Sequence, residues 1–263
     1  VTGEPNSVFL EIFFKTLKNK SFKSPLILIS SYNLLVMQMK KLNFKKKINL
    51  INYDDLSKKK INNNSINIIN IEYNSKKAFK KISFNSKRYI ELSFNMAFKI
   101  IKSGYTKKLI NGPISKKHFL NKKFPGITEY LAKKFFSKKN GMLIYNKELS
   151  VCPITTHLPL KLVSRNINKK IIYDKVYLIN EFYKKNIGFK PKIAILGLNP
   201  HCESIHRYNE DEKILKPTVK SLAKLGYNIK GPYPADTIFL KENRKKFNVI
   251  IGMYHDQVLT PIK

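Results

Sequence analysis

The chain of 263 residues is poor in cysteine and in long apolar runs, and each shortage excludes a class of protein. Two cysteines, Cys152 and Cys202, are too few for a disulfide framework, which favours a reducing compartment such as the cytoplasm. No apolar run approaches the roughly 18 residues of a membrane-spanning helix, and no signal peptide opens the chain. The sequence therefore predicts a globular protein with no membrane partner.

Glycine-rich nucleotide-binding loops are also missing. None of the ten glycines belongs to a Gly-x-Gly-x-x-Gly turn or to a Gly-x-x-x-x-Gly-Lys-Ser/Thr loop. A dinucleotide that binds this chain must therefore do so without the usual Rossmann turn.

Acidic residues and arginines are scarce beside an excess of lysine. The chain has 51 basic and 17 acidic residues, a net charge of +34, which would ordinarily indicate a nucleic-acid partner. However, the only arginines are Arg88, Arg165, Arg207 and Arg244, whereas proteins that read bases and phosphates depend on the arginine fork. Because lysine, asparagine and isoleucine share A/T-rich codons, genome composition explains the charge. We expect no specific nucleic-acid partner, and a nucleic-acid-binding module is a poor alternative.

Short apolar runs alternate with amphipathic segments of helical length along the chain. Helices are predicted at residues 7–19, 32–41, 88–102, 128–137, 169–184 and 210–225, and strands at 25–30, 48–51, 66–71, 108–110, 142–145, 149–154 and before His201 and His255. This alternation predicts an α/β fold with a largely parallel sheet and helices on both faces. The chain opens at Val1 instead of Met and ends soon after His255, so we expect truncation at the C-terminus and at the N-terminus.

Three histidines each follow an apolar run that is typical of a strand. They are His157, His201 and His255. If the three strands are parallel in one sheet, their carboxyl ends share the edge at which open α/β sheets bind ligands. Three imidazoles with an open coordination position are typical of a catalytic metal site. The alternative is that each histidine only caps its strand or bonds a loop carbonyl, and the residues alone leave the two interpretations about equal.

Six motifs taken together resemble one enzyme family. In chain order they are Asn-Gly-Pro-Ile-Ser-Lys (111–116), Phe-Pro-Gly-Ile-Thr-Glu (124–129), Thr-Thr-His-Leu-Pro-Leu (155–160), Gly-Leu-Asn-Pro-His (197–201), Gly-Pro-Tyr-Pro-Ala-Asp-Thr (231–237) and Met-Tyr-His-Asp-Gln (253–257). Their order and spacing resemble the 4-hydroxythreonine-4-phosphate dehydrogenase family of pyridoxal phosphate biosynthesis, and the resemblance extends from Gly3 to Lys263.

The resemblance implies a reaction and a fold. The reaction is the NAD-dependent oxidation of 4-phosphooxy-L-threonine at C3, followed by loss of carbon dioxide. The fold is similar to isocitrate and isopropylmalate dehydrogenases: residues 1–263 would form one catalytic unit of two interleaved α/β/α subdomains around a cleft. A homodimer with its active site near the interface is implied as well.

The resemblance also implies roles for individual residues. His157, His201 and His255 would bind a divalent metal. A dimer leaves open whether one of the three ligands comes from the partner chain. Thr128 and Lys263 would contact substrate, and Lys263 would also be catalytic. Asp236 and Asp256 lie beside the motifs and are candidate catalytic residues, which would complete the coordination or orient an imidazole, although Asp236 fits equally well as a helix or turn cap. Zinc, cobalt, manganese and magnesium all suit these ligands, and the sequence leaves NAD against NADP open.

The chain departs from the family pattern at a substrate position. Ile127 stands where the family has histidine before Thr128, which removes a substrate hydrogen bond. Two alternatives follow. One is a related dehydrogenase for another phosphorylated 3-hydroxy acid, and the other is a decayed, non-catalytic metal-binding homologue.

Overall fold

A computed structural model describes residues 1–58, 60–121, 123–135, 139–202 and 208–262. The chain divides into two compact units, Val1–Ile127 and Thr128–Lys263. The strands are β1 (Ile27–Ser30), β2 (Ile48–Leu50), β3 (Ile66–Asn70), β4 (Ser150–Pro153), β5 (Ile193–Leu196), β6 (Ile229–Tyr233) and β7 (Val249–Gly252). The α-helices are α1 (Phe9–Asn19), α2 (Tyr32–Lys41), α3 (Lys87–Lys102), α4 (Ile127–Lys134), α5 (Val163–Asn166), α6 (Lys169–Phe182), α7 (Lys216–Lys224), α8 (Ala235–Ile238), α9 (Lys241–Arg244) and α10 (His255–Leu259).

The first unit contains a parallel three-stranded sheet in the order β1-β3-β2. Helix α2 begins where the Ser31 hydroxyl accepts a hydrogen bond from the Leu34 amide, which satisfies a free donor at the helix start. Helices α1 and α2 bury apolar side chains against this sheet, and Phe14 stacks on Phe44 with ring centroids 4.5 Å apart.

The second unit contains a parallel four-stranded sheet in the order β4-β7-β5-β6. Successive residues of its central strands point to opposite faces, as strand geometry requires. Ile193 and Ile251 belong to a core cluster on one face, whereas Ala194 and Ile250 belong to a cluster on the other. Both faces of the sheet are therefore covered, which is typical of parallel sheets and confirms the predicted α/β class.

Two predicted strands are wrong or incomplete. Residues 108–110 form no strand, and the Ile110 carbonyl instead accepts a hydrogen bond from the Val1 amino group at 2.9 Å. Of residues 142–145, only Ile144 pairs, in one antiparallel bridge with Val151. Strand β6 was not predicted. Along the described ranges, no helix combines the length and apolar character that crossing a membrane requires.

Candidate functional site

The three strands that precede the predicted metal-binding histidines are neighbours in one parallel sheet. Strand β7 lies between β4 and β5, with Pro153 opposite Gly252 and Ile195 opposite Ile251. The three strands therefore end at nearly the same level, and the turns after them begin at one edge. This arrangement confirms the prediction of shared carboxyl ends, and all of it lies within the second unit.

Two of the three histidines are neighbours at this edge. The ring centroids of His157 and His255 are 6.2 Å apart, with the ring planes at 34°. The turn that carries His157 is fastened to the end of β7, because the Thr155 hydroxyl and amide both donate to the Met253 carbonyl, at 2.7 and 3.1 Å. The adjacent strands and the two Thr155 hydrogen bonds bring the two imidazoles together.

His201 lies in the turn after β5, is exposed, and has a left-handed backbone conformation with φ of 55°. Among the residues that the structure describes, no three side chains of His, Cys, Asp or Glu form a group that could hold a metal ion. The structure thus pairs His157 with His255, and coordination of one ion by all three histidines stays a prediction.

A carboxylate orients each ring of the histidine pair. His157 Nδ1 is 3.2 Å from Glu129 Oε1, and His255 Nδ1 is 2.7 Å from Asp256 Oδ1. An ionised carboxylate only accepts hydrogen bonds, so in the neutral form of each ring the proton lies on Nδ1 and the lone pair on Nε2. Histidines that bind metals usually donate their second nitrogen to a carboxylate in this way. These two side chains therefore fit the chemistry of a divalent metal site.

The ionised state of Glu129 has a physical cause. Partial burial by itself raises the pKa of Glu129, but its own backbone amide, the His157 ring and the Thr156 hydroxyl together lower the pKa below its usual value. Glu129 is consequently a carboxylate at neutral pH and keeps the proton of His157 on Nδ1.

A buried aspartate shapes the turn that carries His201. The Asp211 carboxylate accepts hydrogen bonds from the backbone amides of Leu198 and Asn199, at 2.8 and 3.0 Å, and from Asn199 Nδ2 at 2.8 Å. Gly197 is needed for this close approach, since a Cβ there would lie 3.0 Å from Asp211 Oδ1 and 2.7 Å from Cys202 Sγ. The buried Asp211 side chain therefore stabilises the turn that carries His201.

Gln257 connects the ends of two strands at the same edge. Its Oε1 accepts from the Met253 amide at 2.7 Å, and its Nε2 donates to the Gly197 carbonyl at 2.8 Å. Gln257 thereby connects the turn after β7 to the end of β5. The Thr155 contacts connect the same turn to the turn after β4.

The other predicted site residues are placed as follows. Thr128 is half-buried in the first turn of α4, directly before Glu129. Asp236 is exposed in the first turn of α8, where Pro234 is the N-cap residue and no side chain caps the helix. Its carboxylate lies close enough to Cys202 to raise the pKa of that thiol, after the larger effects of burial and Asp211. Lys263 lies outside the described residues.

Sequence reasoning did not single out Glu129, Asp211 or Gln257. Glu129 and Gln257 stand inside quoted motifs, so their motif membership was an available signal. For Asp211 no local signal existed, because charged residues are rarely fully buried, and this one is buried completely.

Comparison with known proteins places this chain in a family. The family model of the pyridoxal phosphate biosynthetic protein PdxA matches residues 21–263. A 4-hydroxythreonine-4-phosphate dehydrogenase from Sulfurihydrogenibium sp. is 46% identical over 160 residues, which cover 59% of this chain and 49% of that protein. The enzyme of that name from Wigglesworthia glossinidia brevipalpis is 31% identical over 268 residues, covering 99% and 79%. A D-threonate 4-phosphate dehydrogenase from Pectobacterium atrosepticum is 30% identical over 165 residues, covering 61% and 50%.

Solved structures agree with the fold. Those of 4-hydroxythreonine-4-phosphate dehydrogenases from Burkholderia phymatum and Klebsiella pneumoniae match with TM-scores of 0.81 and 0.81, at 26% and 22% identity. The matches cover 99% of this chain and 81% and 82% of those chains. These structures confirm the predicted fold, which is similar to isocitrate and isopropylmalate dehydrogenases.

The aligned segment spans about half the length of several curated relatives, 49% for the Sulfurihydrogenibium protein. The family match nevertheless extends over most of the chain, from residue 21 to residue 263. It includes the three strands that end at one edge and the paired imidazoles of His157 and His255. By its match to the family model over residues 21–263, the chain belongs to the family of the pyridoxal phosphate biosynthetic protein PdxA.

Proposed function

We propose that the protein oxidises 4-phosphooxy-L-threonine at C3, with NAD as hydride acceptor and a divalent metal, and that the product then loses carbon dioxide. The observation that carries this proposal is the pair of carboxylate-oriented imidazoles, His157 and His255, at the carboxyl edge of the sheet. Family membership supplies the substrate class, since the relatives from Sulfurihydrogenibium and Wigglesworthia carry the name of this dehydrogenase.

The residues at the carboxyl edge of the sheet would have separate roles. His157 and His255 would hold the metal through Nε2, while Glu129 and Asp256 keep the protons on Nδ1. Asp211 fixes the turn through which His201 would join them. When bound, a divalent metal lowers the pKa of a substrate hydroxyl and polarises a carbonyl, which serves both oxidation and decarboxylation. Thr128, beside Glu129, and Lys263 would contact the substrate, and both roles follow from the family resemblance.

The remaining expectations accompany this proposal. A homodimer with its active site near the interface, a location in the cytoplasm, and the absence of a specific nucleic-acid partner are all expected of the protein. Asp236 stands on the segment after β6, near Cys202, and would contribute to catalysis from there. Zinc, magnesium and cobalt are the candidate metals.

An NAD-reduction assay tests the proposal. The purified protein is incubated with NAD and 4-phosphooxy-L-threonine, with and without a chelator, and absorbance of the reduced nicotinamide is followed. We expect turnover that stops on chelation and returns when zinc, cobalt or magnesium is added back. Turnover that survives full removal of metal would overturn the metal-dependent mechanism, and absence of turnover under all metals would overturn the activity.

A second candidate function is a dehydrogenase for D-threonate 4-phosphate. The Pectobacterium relative carries that name, and Ile127 replaces a histidine that the resemblance places at the substrate. The two substrates differ by a hydroxyl in place of an amino group, so one protein preparation can be assayed with both under the same conditions. A higher kcat/KM for D-threonate 4-phosphate would favour this candidate.

A further inference from the structure

Glu129 makes a contact that its own helix does not require. Its Oε1 accepts hydrogen bonds from two donors in the turn after β4, the Thr156 hydroxyl at 3.1 Å and His157 Nδ1 at 3.2 Å. Glu129 and His157 are 28 residues apart in sequence. A tertiary contact therefore sets the orientation of the His157 ring.

The second oxygen of the same carboxylate is anomalous. Oε2 is buried and has no hydrogen-bond partner among the residues that the structure describes. A partly buried carboxylate with hydrogen bonds to only one oxygen destabilises the folded state, because the other oxygen loses water without gaining a protein donor. Unpartnered buried polar atoms are rare in folded proteins and call for an explanation beyond stability. Here the explanation is that the carboxylate is needed to orient the His157 ring.

Asp256, the carboxylate that faces His255, differs from Glu129 in its exposure to solvent. Asp256 is adjacent to His255 in sequence, and 80% of its side chain is exposed, against 28% for Glu129. Water competes more effectively for an exposed carboxylate, so its hold on a ring is weaker. The chain thus contains a shielded and an exposed version of the same histidine and carboxylate pairing.

We propose that Glu129 is a positioning residue for the metal site: it holds His157 as the Nδ1–H tautomer, with Nε2 presented to the ion. The proposal rests on the metal-dependent function proposed above and assigns a role to a residue outside the predicted ligand set. Loss of a carboxylate behind a metal-binding histidine typically weakens metal affinity about 10–100-fold. Because Asp256 is exposed, its loss should cost less than the loss of Glu129.

The experiment compares Glu129→Ala and Glu129→Gln with Asp256→Asn in the whole protein. Glu181→Gln is the matched control, because it removes the charge of a half-buried carboxylate that pairs with exposed Lys185 in the same unit. Zinc affinity is measured by calorimetric titration against a competing chelator, and the His157 tautomer is read from ring nitrogen chemical shifts in metal-free protein. Circular dichroism checks folding, and Glu129→Gln, which keeps shape and an acceptor oxygen, serves if Glu129→Ala fails to fold.

We expect Glu129→Ala to bind zinc about 10–100-fold more weakly and to lose the Nδ1–H preference of His157. Glu129→Gln should retain part of both, Asp256→Asn should lose less affinity, and Glu181→Gln should match the parent. A parent that binds none of zinc, cobalt and magnesium would overturn the proposed function itself. A parent whose zinc affinity depends on His157 but not on Glu129, with the His157 tautomer unchanged in Glu129→Ala, would overturn this inference and leave the proposed function standing.

Discussion

The buried carboxylate of Asp211 accepts hydrogen bonds from both amides of Asn199: its Oδ2 lies 3.0 Å from the backbone nitrogen and 2.8 Å from Nδ2. Its Oδ1 takes the amide of Leu198 at 2.8 Å. One fully buried side chain therefore determines the course of the turn that leads from β5 to His201.

Replacing this carboxylate should destabilise the protein. In Asp211→Asn, one acceptor oxygen becomes an amide donor that faces the loop amides, so a buried N–H loses its charged partner. We expect the free energy of unfolding, measured by urea denaturation, to fall by about 1–3 kcal/mol. Glu212→Gln is the control, since it removes an exposed ion pair with Lys216 and should cost less than about 1 kcal/mol. Equal effects of the two substitutions would show that the Asp211 contacts contribute nothing specific.

The paired histidines should both be needed for metal binding. His157→Ala and His255→Ala are each expected to weaken zinc or cobalt affinity at least about tenfold, because each removes a nitrogen ligand that a carboxylate has oriented. The side chains are only partly buried, 31% and 33% exposed, so folding should survive. His118→Ala, which removes a ring bonded to Ser115 in the first unit, is the control. Parent-like affinity in either site variant would exclude that histidine from the metal site.

Both cysteines should resist alkylation in the native protein. Burial raises the pKa of the Cys152 thiol to about 12, and burial together with Asp211 raises the pKa of Cys202. The thiolate is the form that reacts with iodoacetamide, and a free thiol has a pKa of about 8.5. At that pH the cysteines of the unfolded chain therefore react, whereas those of the folded protein stay protonated. Intact mass after iodoacetamide treatment should show two labels in denaturant and none without it. Rapid native labelling of Cys152 would contradict the buried, protonated thiol.

Restoring histidine at position 127 should improve substrate handling. Ile127 is half-buried at the start of α4, directly before Thr128. In Ile127→His, the recovered substrate hydrogen bond should raise kcat/KM about 10–100-fold, which corresponds to about 1.4–2.8 kcal/mol of transition-state binding. Zinc affinity should not change, and Ile127→Leu, which stays apolar, should behave as the parent. Loss of activity in Ile127→His would withdraw Thr128 as a substrate contact.

The large positive charge should prove incidental to function. Lysines account for nearly all of the 51 basic residues, and contacts to phosphate backbones weaken steeply as salt rises. We therefore expect no tight, sequence-selective binding of DNA or RNA at about 150 mM salt, measured by fluorescence anisotropy with labelled oligonucleotides. Selective nanomolar binding would require a nucleic-acid role.

The local patterns that the sequence carries proved sufficient for most regular elements. Helix α2 begins after the Ser31 cap and occupies the predicted residues 32–41, and the apolar runs before His201 and His255 became β5 and β7. These features depend on neighbours within a few residues, which is why periodicity and caps indicate them. The prediction that three histidines follow parallel strands rested on the same kind of signal.

Strand β6 shows where local signals fail. Its sequence Ile-Lys-Gly-Pro-Tyr contains glycine and proline, two residues that are depleted in strands. Only the sheet order explains it, because β6 is the edge strand and an edge tolerates proline, which has no amide to donate. Conversely, residues 108–110 form no strand in the folded chain.

What the sequence by itself determined is the α/β alternation and the set of histidines that follow strands. Only the tertiary structure decided that β7 lies between β4 and β5, which brings His157 and His255 side by side. It also placed Glu129 behind His157 and buried Asp211 beneath the His201 turn. The physical reason is that strand order and charge burial depend on free energies summed over contacts distant in the chain, which no local pattern encodes.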